Sequence, residues 1–151
     1  MTQTSRIVLE DCKEALIGFK DGVQGSEWRR IWVTSVVLLR TVGHVLNKVD
    51  ALSDPKLKTI TDNEWSNLQH SKPEPKIFWE FINKERNNIL KEYEINAGQG
   101  VTINLGTKQT IYHYKINSGY YQGREQKEVL NEAIDWWDQY LTNIETLLLR
   151  D

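Results

Sequence analysis

The sequence predicts an all-α fold, an antiparallel bundle of four to five helices with a β-hairpin inserted before the last helix. Apolar residues recur at steps of three and four along most of the chain, as they do on the buried side of an amphipathic helix. Between Val101 and Ile116 this period changes to two, which is typical of strands. The chain has 151 residues, which is the usual size of one domain, so residues 1–151 are assigned to a single helical domain.

The first two helices have the clearest patterns. From Ser5 to Lys20 the apolar residues form one stripe, and Asp21-Gly22 ends the segment. Ser26 is expected to cap the second helix, because its hydroxyl can accept a hydrogen bond from a free amide of the first turn. Two neighbouring apolar stripes then imply more than one packing partner, so this helix should lie at the centre of the bundle. They contain Trp28, Trp32, Ser35, Leu39, Val42, Leu46 and Val49, and Ile31, Leu38, Val45 and Leu52.

Two further helices follow, on either side of a proline-rich turn. Asp54-Pro55 opens a short segment, since proline suits a first helical turn. Pro73 and Pro75 make the connector after it stiff, because each ring fixes its own φ. A long third principal helix is predicted from about Pro75 to Glu94. Residues 96–100 are expected to end it, because Asn and Gly tolerate positive φ.

The last third of the chain combines a hairpin with a helix. Apolar residues alternate with polar ones from Val101 to Leu105, and Gly106-Thr107 can turn the chain. Two strands alone are marginally stable, so the hairpin must pack against the helices. From Val129 to Leu148 the helical period returns and predicts the final amphipathic helix.

Composition narrows the classes of function. The net charge is −2, from 19 basic and 21 acidic residues, so binding of a polyanion must rest on a local patch. Cys12 is the only cysteine, which excludes an internal disulfide and a zinc cluster. The first residues lack the pattern of a signal peptide, and the most apolar stretch, 31–39, is too short to span a bilayer. We therefore expect a cytoplasmic protein that contacts no membrane and needs no metal or cofactor.

Three polar residues interrupt the predicted core. Arg40 and His44 lie four residues apart on the apolar second helix and share a face. Glu85 falls on the apolar stripe of the third principal helix. Because an unpaired buried charge is costly, we expect Glu85 to meet Arg40 or His44 across the helix interface. A structural salt bridge that fixes helix register is the simpler interpretation, and a functional site is the alternative.

A second polar group follows directly on the same helix. Asn87 and Lys91 are one turn apart, and Arg86 lies about 100° from Asn87 around the helix. An arginine fork matches two phosphate oxygens, and the amide and the lysine add further donors. The group could therefore hold a phosphate, although an ordinary solvated helix face is the alternative interpretation.

The hairpin offers a weaker candidate for contact with RNA. Tyr112, Tyr114 and Lys115 lie on its second strand, and a mixture of aromatic and basic residues can stack bases and contact phosphates. Alternating aromatic residues are also what a half-buried strand uses, so packing against the bundle is the favoured interpretation.

Residues 78–93 resemble a known family. Their sequence, FWEFINKERNNILKEY, is similar to the signature helix of HEPN domains, compact helical bundles of prokaryotic toxin-antitoxin and phage-defence systems. In that family an arginine followed by a polar residue precedes a histidine by a gap of four to six residues. Arg86 and Asn87 match the first two positions, and Lys91 occupies the position of the histidine.

The resemblance implies a homodimeric, metal-independent endoribonuclease with RNA as substrate and an antitoxin-like protein as a possible partner. In such an enzyme the arginine stabilises charge on the phosphate, and the histidine moves a proton around a ribose 2′-hydroxyl. Lys91 can do the second task only if its pKa falls from about 10.4 toward neutrality. His44 is the alternative imidazole. The expected working surface is Glu85, Arg86, Asn87 and Lys91, with Arg40 and His44 behind it.

A catalytically silent helical module for dimerisation or protein interaction is the other function that the sequence allows. In that case the polar residues of the second and third principal helices fix helix register and dimer geometry, and the protein acts on no nucleic acid.

Overall fold

The order of elements follows the predicted one, and helices make up about two thirds of the chain. The computed structural model describes residues 1–150. The description as all-α is too narrow, because a two-stranded hairpin is formed before the last helix. The elements are α1 (Gln3–Ile17), α2 (Gly25–Lys48), a 3₁₀ turn (Asp50–Ser53), α3 (Pro55–His70), a π-helical segment (Ile77–Asn83), α4 (Lys84–Glu92), β1 (Ala97–Asn104), β2 (Gln109–Ile116) and α5 (Gln126–Leu148).

Helix α2 lies at the centre of the bundle, in contact with all four other helices and with the π-helical segment. Trp32, Leu39 and Val42 of its first predicted stripe are completely buried. The second predicted stripe is shallower, because Leu38 is half-buried and Leu52 is 71% exposed. The central position of α2 therefore depends on one deep stripe with half-buried flanks.

Helix α1 packs along α2 and α5, and its first turn is held by Asp50. The backbone N–H and the hydroxyl of Ser5 donate to the Asp50 carboxylate at 2.9 and 2.7 Å. A carboxylate at a helix N-terminus satisfies free amides and is favoured by the helix dipole. Further along α1, Cys12 is completely buried, with its Sγ 3.6 Å from the Ser35 carbonyl oxygen. Burial raises the pKa of this thiol to about 12.

Three predicted helix boundaries are wrong, and one is confirmed. Helix α1 ends at Ile17, before the predicted Asp21-Gly22. Ser26 lies inside α2, which begins at Gly25 without a side-chain cap. The third principal helix ends at Tyr93, which has a left-handed backbone with φ 51° and donates to the Ile89 carbonyl. Of residues 96–100, which were expected to end this helix, residues 97–100 belong to β1 instead. Asp54 caps α3 by accepting from two backbone amides, and Pro55 opens the helix as predicted.

The third principal helix changes geometry along its length. Residues 77–83 form wider π-helical turns, with hydrogen bonds from i to i+5. Phe78, completely buried in this segment, lies at the centre of an aromatic cluster. Its ring contacts those of Trp65, Trp79, Trp136 and Trp137, with centroid separations from 4.8 to 6.1 Å.

Only the base of the hairpin packs against the bundle. The antiparallel pairing places Ala97 opposite Ile116, and both residues are buried. Tyr114 is also buried, and its hydroxyl donates to the Val23 carbonyl at 2.8 Å. The far end of the hairpin is exposed, with Leu105 at 90%. The predicted packing of the hairpin is therefore limited to its base, as far as Tyr112, which is half-buried against the core.

Gln126, at the start of α5, joins the hairpin to the helices. Its side chain is completely buried, and its Nε2 donates to the carbonyls of Gly98 and Lys115 at 2.7 and 2.9 Å. Its Oε1 accepts from the Trp28 indole at 2.9 Å. One side chain thus satisfies polar groups of β1, β2 and α2. Within residues 1–150, the structure has no helix of sufficient length and apolarity to cross a membrane.

We predict that Gln126→Leu lowers the free energy of unfolding by about 2–4 kcal/mol, because it leaves three partly or fully buried polar partners without their hydrogen bonds. Urea denaturation measures the effect. Gln139→Leu, at an exposed position of the same helix, is the matched control and should change stability by less than about 0.5 kcal/mol. Equal stability of the two variants would show that Gln126 does not hold the hairpin.

Candidate functional site

Arg40 lies in a half-buried position of α2, against aromatic rings. Its guanidinium carbon is 5.7 Å from the Phe78 ring centroid and 5.9 Å from that of Trp65. Its Nε donates to Asn83 Oδ1 at 3.4 Å. Burial, and then the positive charge of nearby Arg86, lower the pKa of Arg40. No ion pair within 4 Å neutralises Arg40 in the described part of the chain.

The structure brings Arg86 and Asn87 to the same region. Both side chains are half-buried on α4, and Arg86 Nη1 donates to Asn87 Oδ1 at 3.3 Å. Arg86 has no ion pair among residues 1–150 either. We call Arg40 and Arg86 the arginine pair. Because two like charges near each other are unfavourable, an anion bound by both would stabilise them.

Glu85 does not form the expected ion pair with Arg40 or His44. It is 4% exposed, and both of its carboxylate oxygens accept from the Asn96 backbone N–H, at 3.2 and 3.3 Å. The reason lies in the end of α4: after the left-handed residue Tyr93, the chain turns back and brings a free amide to the carboxylate. Glu85 therefore lies apart from the arginine pair. It lines a cavity of about 250 Å³, which we call the Glu85 cavity.

The surroundings of Glu85 favour its neutral form. Burial is the largest cause and raises the pKa of Glu85 to about 7, and the charge of Glu94 adds to this. The Asn96 hydrogen bond opposes the shift. The Trp32 indole N–H is near enough to oppose it as well, but it forms no hydrogen bond of good geometry. This carboxyl group therefore titrates near neutral pH.

The remaining predicted residues of the working surface are more open. Lys91 is exposed in the last turn of α4, where a cation is favoured by the helix dipole. An exposed lysine supplies positive charge to a phosphate more readily than it supplies a proton. His44 is exposed on α2, one turn after Arg40.

The three hairpin residues expected to contact RNA are used differently. The ring of Tyr114 packs edge-on against Phe19 with centroids 5.0 Å apart, and its hydroxyl is hydrogen-bonded, so it belongs to the core. Tyr112 is half-buried. Lys115 is exposed and pairs with Glu125 at 2.5 Å. The positions of Tyr114 and Tyr112 agree with the favoured interpretation that the aromatic residues of this strand pack against the bundle.

Sequence reasoning missed a cavity of about 220 Å³, lined by residues of α2, α3 and α5. We call it the bundle cavity. Basic side chains and aromatic rings share its wall, which includes Arg40, His44, Lys48, Trp65, Trp137 and Tyr140. Gly43 also lines it. A glycine inside an apolar helix pattern is a sequence signal by which this close approach could have been found.

Gly43 makes room for Trp137. A Cβ placed on Gly43 would lie 2.7 Å from Trp137 Cη2 and 3.3 Å from Arg40 Nη1. The indole is 2% exposed and packed among other rings, so it has little freedom to move away. The size of the bundle cavity is therefore linked to the absence of a side chain at position 43.

We predict that Gly43→Ala destabilises the protein by about 1–3 kcal/mol. Helix propensity alone would favour alanine by about 1 kcal/mol, so a loss of stability isolates the clash with Trp137. Thermal or urea denaturation measures it. Gly18→Ala is the control, because its Cβ would have no neighbour closer than 3.4 Å and stability should barely change. A stabilised Gly43→Ala variant would contradict the close approach.

Comparison with protein families, curated proteins and solved structures found no match for this chain. The resemblance of residues 78–93 to the HEPN signature therefore rests on those residues. No group of three or more His, Cys, Asp or Glu residues placed to hold a metal ion occurs within residues 1–150.

The pKa of Glu85 predicts a dependence of stability on pH. Its ordinary value is 4.5 and the folded value is about 7, so the folded state binds more protons between these values. The free energy of unfolding should therefore fall as pH rises from about 4.5 to about 7, by about 3 kcal/mol from this group. Urea denaturation at half-unit pH intervals measures the slope.

Glu85→Gln should remove this part of the slope, so that its stability relative to the wild type increases between about pH 4.5 and about pH 7 and then levels off. The glutamine carbonyl can still accept from the Asn96 amide. Glu92→Gln, at an exposed position of the same helix, is the control and should keep the wild-type slope. Parallel curves for wild type and Glu85→Gln would rule out the raised pKa.

Proposed function

We propose that the protein is a HEPN-like domain that engages RNA or a nucleotide through phosphate, at the arginine pair and Asn87. The observation that carries the proposal is the arginine pair itself: both guanidinium groups are half-buried, they lie close enough to interact, and no carboxylate pairs with either in residues 1–150. A phosphate would supply the negative charge and the paired acceptor oxygens that a guanidinium group binds.

In the proposed assembly two copies of the chain form a homodimer, and their Arg86 and Asn87 side chains face one RNA backbone. The setting is a toxin-antitoxin or phage-defence system with an antitoxin-like protein partner. This part of the proposal is supported by the match of Arg86 and Asn87 to the HEPN signature.

Metal-independent cleavage of RNA is the activity that accompanies this proposal. Arg86 would stabilise the charge that develops on the phosphate, and exposed Lys91 would add positive charge. Proton transfer needs another group, for which His44, one helical turn from Arg40, is our candidate.

The second candidate function is a catalytically silent dimerisation or interaction module. Two observations favour it: Lys91 is exposed rather than desolvated, and the far end of the hairpin exposes apolar side chains, with Ile103 at 60% and Leu105 at 90%. The two functions differ in whether RNA is bound.

We predict that a labelled single-stranded RNA of mixed sequence binds the protein in EDTA, as measured by fluorescence anisotropy. Arg86→Ala should weaken binding about tenfold or more, because a hydrogen bond to a charged group contributes about 1.5–3 kcal/mol. The slope of log affinity against log salt should also fall by about one. Arg29→Ala, at an exposed position of α2, is the matched control and should bind as the wild type does.

Gel analysis of the same samples separates the outcomes. RNA cut by the wild type but not by Arg86→Ala supports the nuclease, whereas bound and intact RNA supports phosphate engagement without cleavage. If the RNA does not bind even at low salt, both the nuclease and phosphate engagement are contradicted, and the interaction module remains. That module predicts that Arg40→Met lowers dimer formation or thermal stability and that Glu85→Gln lowers dimer formation, measured by light scattering and, for Arg40→Met, also by melting curves.

A further inference from the structure

The bundle cavity has the composition of a binding site for an anion. Arg40 and Lys48 of α2 supply positive charge, and Trp65, Trp137 and Tyr140 supply aromatic walls. No aspartate or glutamate of residues 1–150 lines it. Its wall thus combines aromatic rings with convergent polar groups, a combination that small-molecule sites use.

Two lining residues have polar atoms without partners. Thr61 is 4% exposed and Trp137 is 2% exposed, and neither Thr61 Oγ1 nor Trp137 Nε1 has a hydrogen-bond partner among residues 1–150. Buried polar groups are nearly always paired in folded proteins, so each exception needs an explanation. A hydroxyl and an indole N–H both donate hydrogen bonds, as a ligand with acceptor oxygens requires. Neither atom has accessible surface in this structure, so such a ligand reaches them only when neighbouring side chains shift.

Arg40 adds the charge argument. Its guanidinium is partly desolvated among the rings of Phe78 and Trp65, and burial lowers its pKa. Arg86 increases the unfavourable positive potential at this position. A negative group in the cavity would offset both effects, because an opposite charge nearby favours the charged form of arginine.

We infer that the bundle cavity binds a small aromatic anion, a single planar ring that carries a carboxylate or a phosphate. The volume of about 220 Å³ lies below the range of about 300–1,000 Å³ for drug-sized ligands, so a ligand of one ring fits best. The ring packs against the aromatic walls, and the anionic group pairs with Arg40 and Lys48. This site goes beyond the proposed function, since it requires neither RNA nor a second protomer.

Four probes test which parts of the ligand are needed. Benzoate and phenyl phosphate carry the ring and the charge, benzamide has the shape of benzoate without its charge, and inorganic phosphate has no ring. Tryptophan fluorescence is the readout, because two tryptophans line the cavity, and isothermal titration calorimetry gives the stoichiometry. Saturable binding of benzoate or phenyl phosphate, one per chain, is expected, with benzamide and inorganic phosphate about tenfold weaker or worse.

Variants separate a binding role from a structural one. Arg40→Met should weaken the better anion about tenfold or more, and Lys48→Met is a second variant should Arg40→Met fail to fold. Thr61→Val removes the unpaired hydroxyl at nearly constant shape. It should weaken binding about threefold or more, while the melting temperature of the ligand-free protein stays equal or rises. Arg29→Met is the control and should bind as the wild type does.

The inference is overturned if neither aromatic anion saturates, if benzamide binds as tightly as benzoate, or if Arg40→Met and Lys48→Met both leave affinity unchanged. The comparison of benzoate with phenyl phosphate identifies the preferred anionic group. If neither aromatic anion binds while RNA still binds, only the inference about the bundle cavity is overturned. If benzoate binds but RNA does not, only the proposed function is overturned.

Discussion

The guanidinium charge of Arg40 is the constraint to which the surrounding elements are adjusted. Trp65 from α3 and Phe78 from the π-helical segment place ring faces within 6 Å of it, and Asn83 provides one long hydrogen bond. Cation–π contacts of this kind offset only part of the cost of desolvation. Arg86 increases that cost. The packing of the third principal helix against α2 therefore produces a local excess of positive charge inside a molecule whose overall charge is slightly negative.

The position of Glu85 keeps that excess from being neutralised. Although it is the residue next to Arg86, a step of about 100° around the helix directs it to a different face. There its carboxylate accepts a hydrogen bond from the Asn96 backbone amide and lines the Glu85 cavity. As a result, Glu85 and Arg86 lie on separate sides of one helix. The side of Arg86 remains open to phosphate or carboxylate oxygens from outside the chain.

The periodicity of apolar residues was sufficient to predict the helices and strands, but it did not predict the contacts between them. The change from a period of three and four to a period of two located the hairpin, and the long apolar stripe of α2 placed that helix at the centre. Helix ends were less certain, because Tyr93 ends α4 in a conformation that glycine usually adopts. The π-helical segment left no periodic signal. Arg40 and Arg86 were each identified, but their proximity, the amide that holds Glu85 and the bundle cavity arise from how close the helices approach, as at Gly43 and Trp137.

Because Cys12 is buried, the reactivity of its thiol measures how often the protein opens. The thiolate is the form that reacts with alkylating reagents, and both the raised pKa and the lack of exposure keep it from forming while α1 covers α2. Any modification of this single thiol therefore requires α1 to separate from α2, or the whole chain to unfold. The rate of alkylation under native conditions then follows the population of these open states.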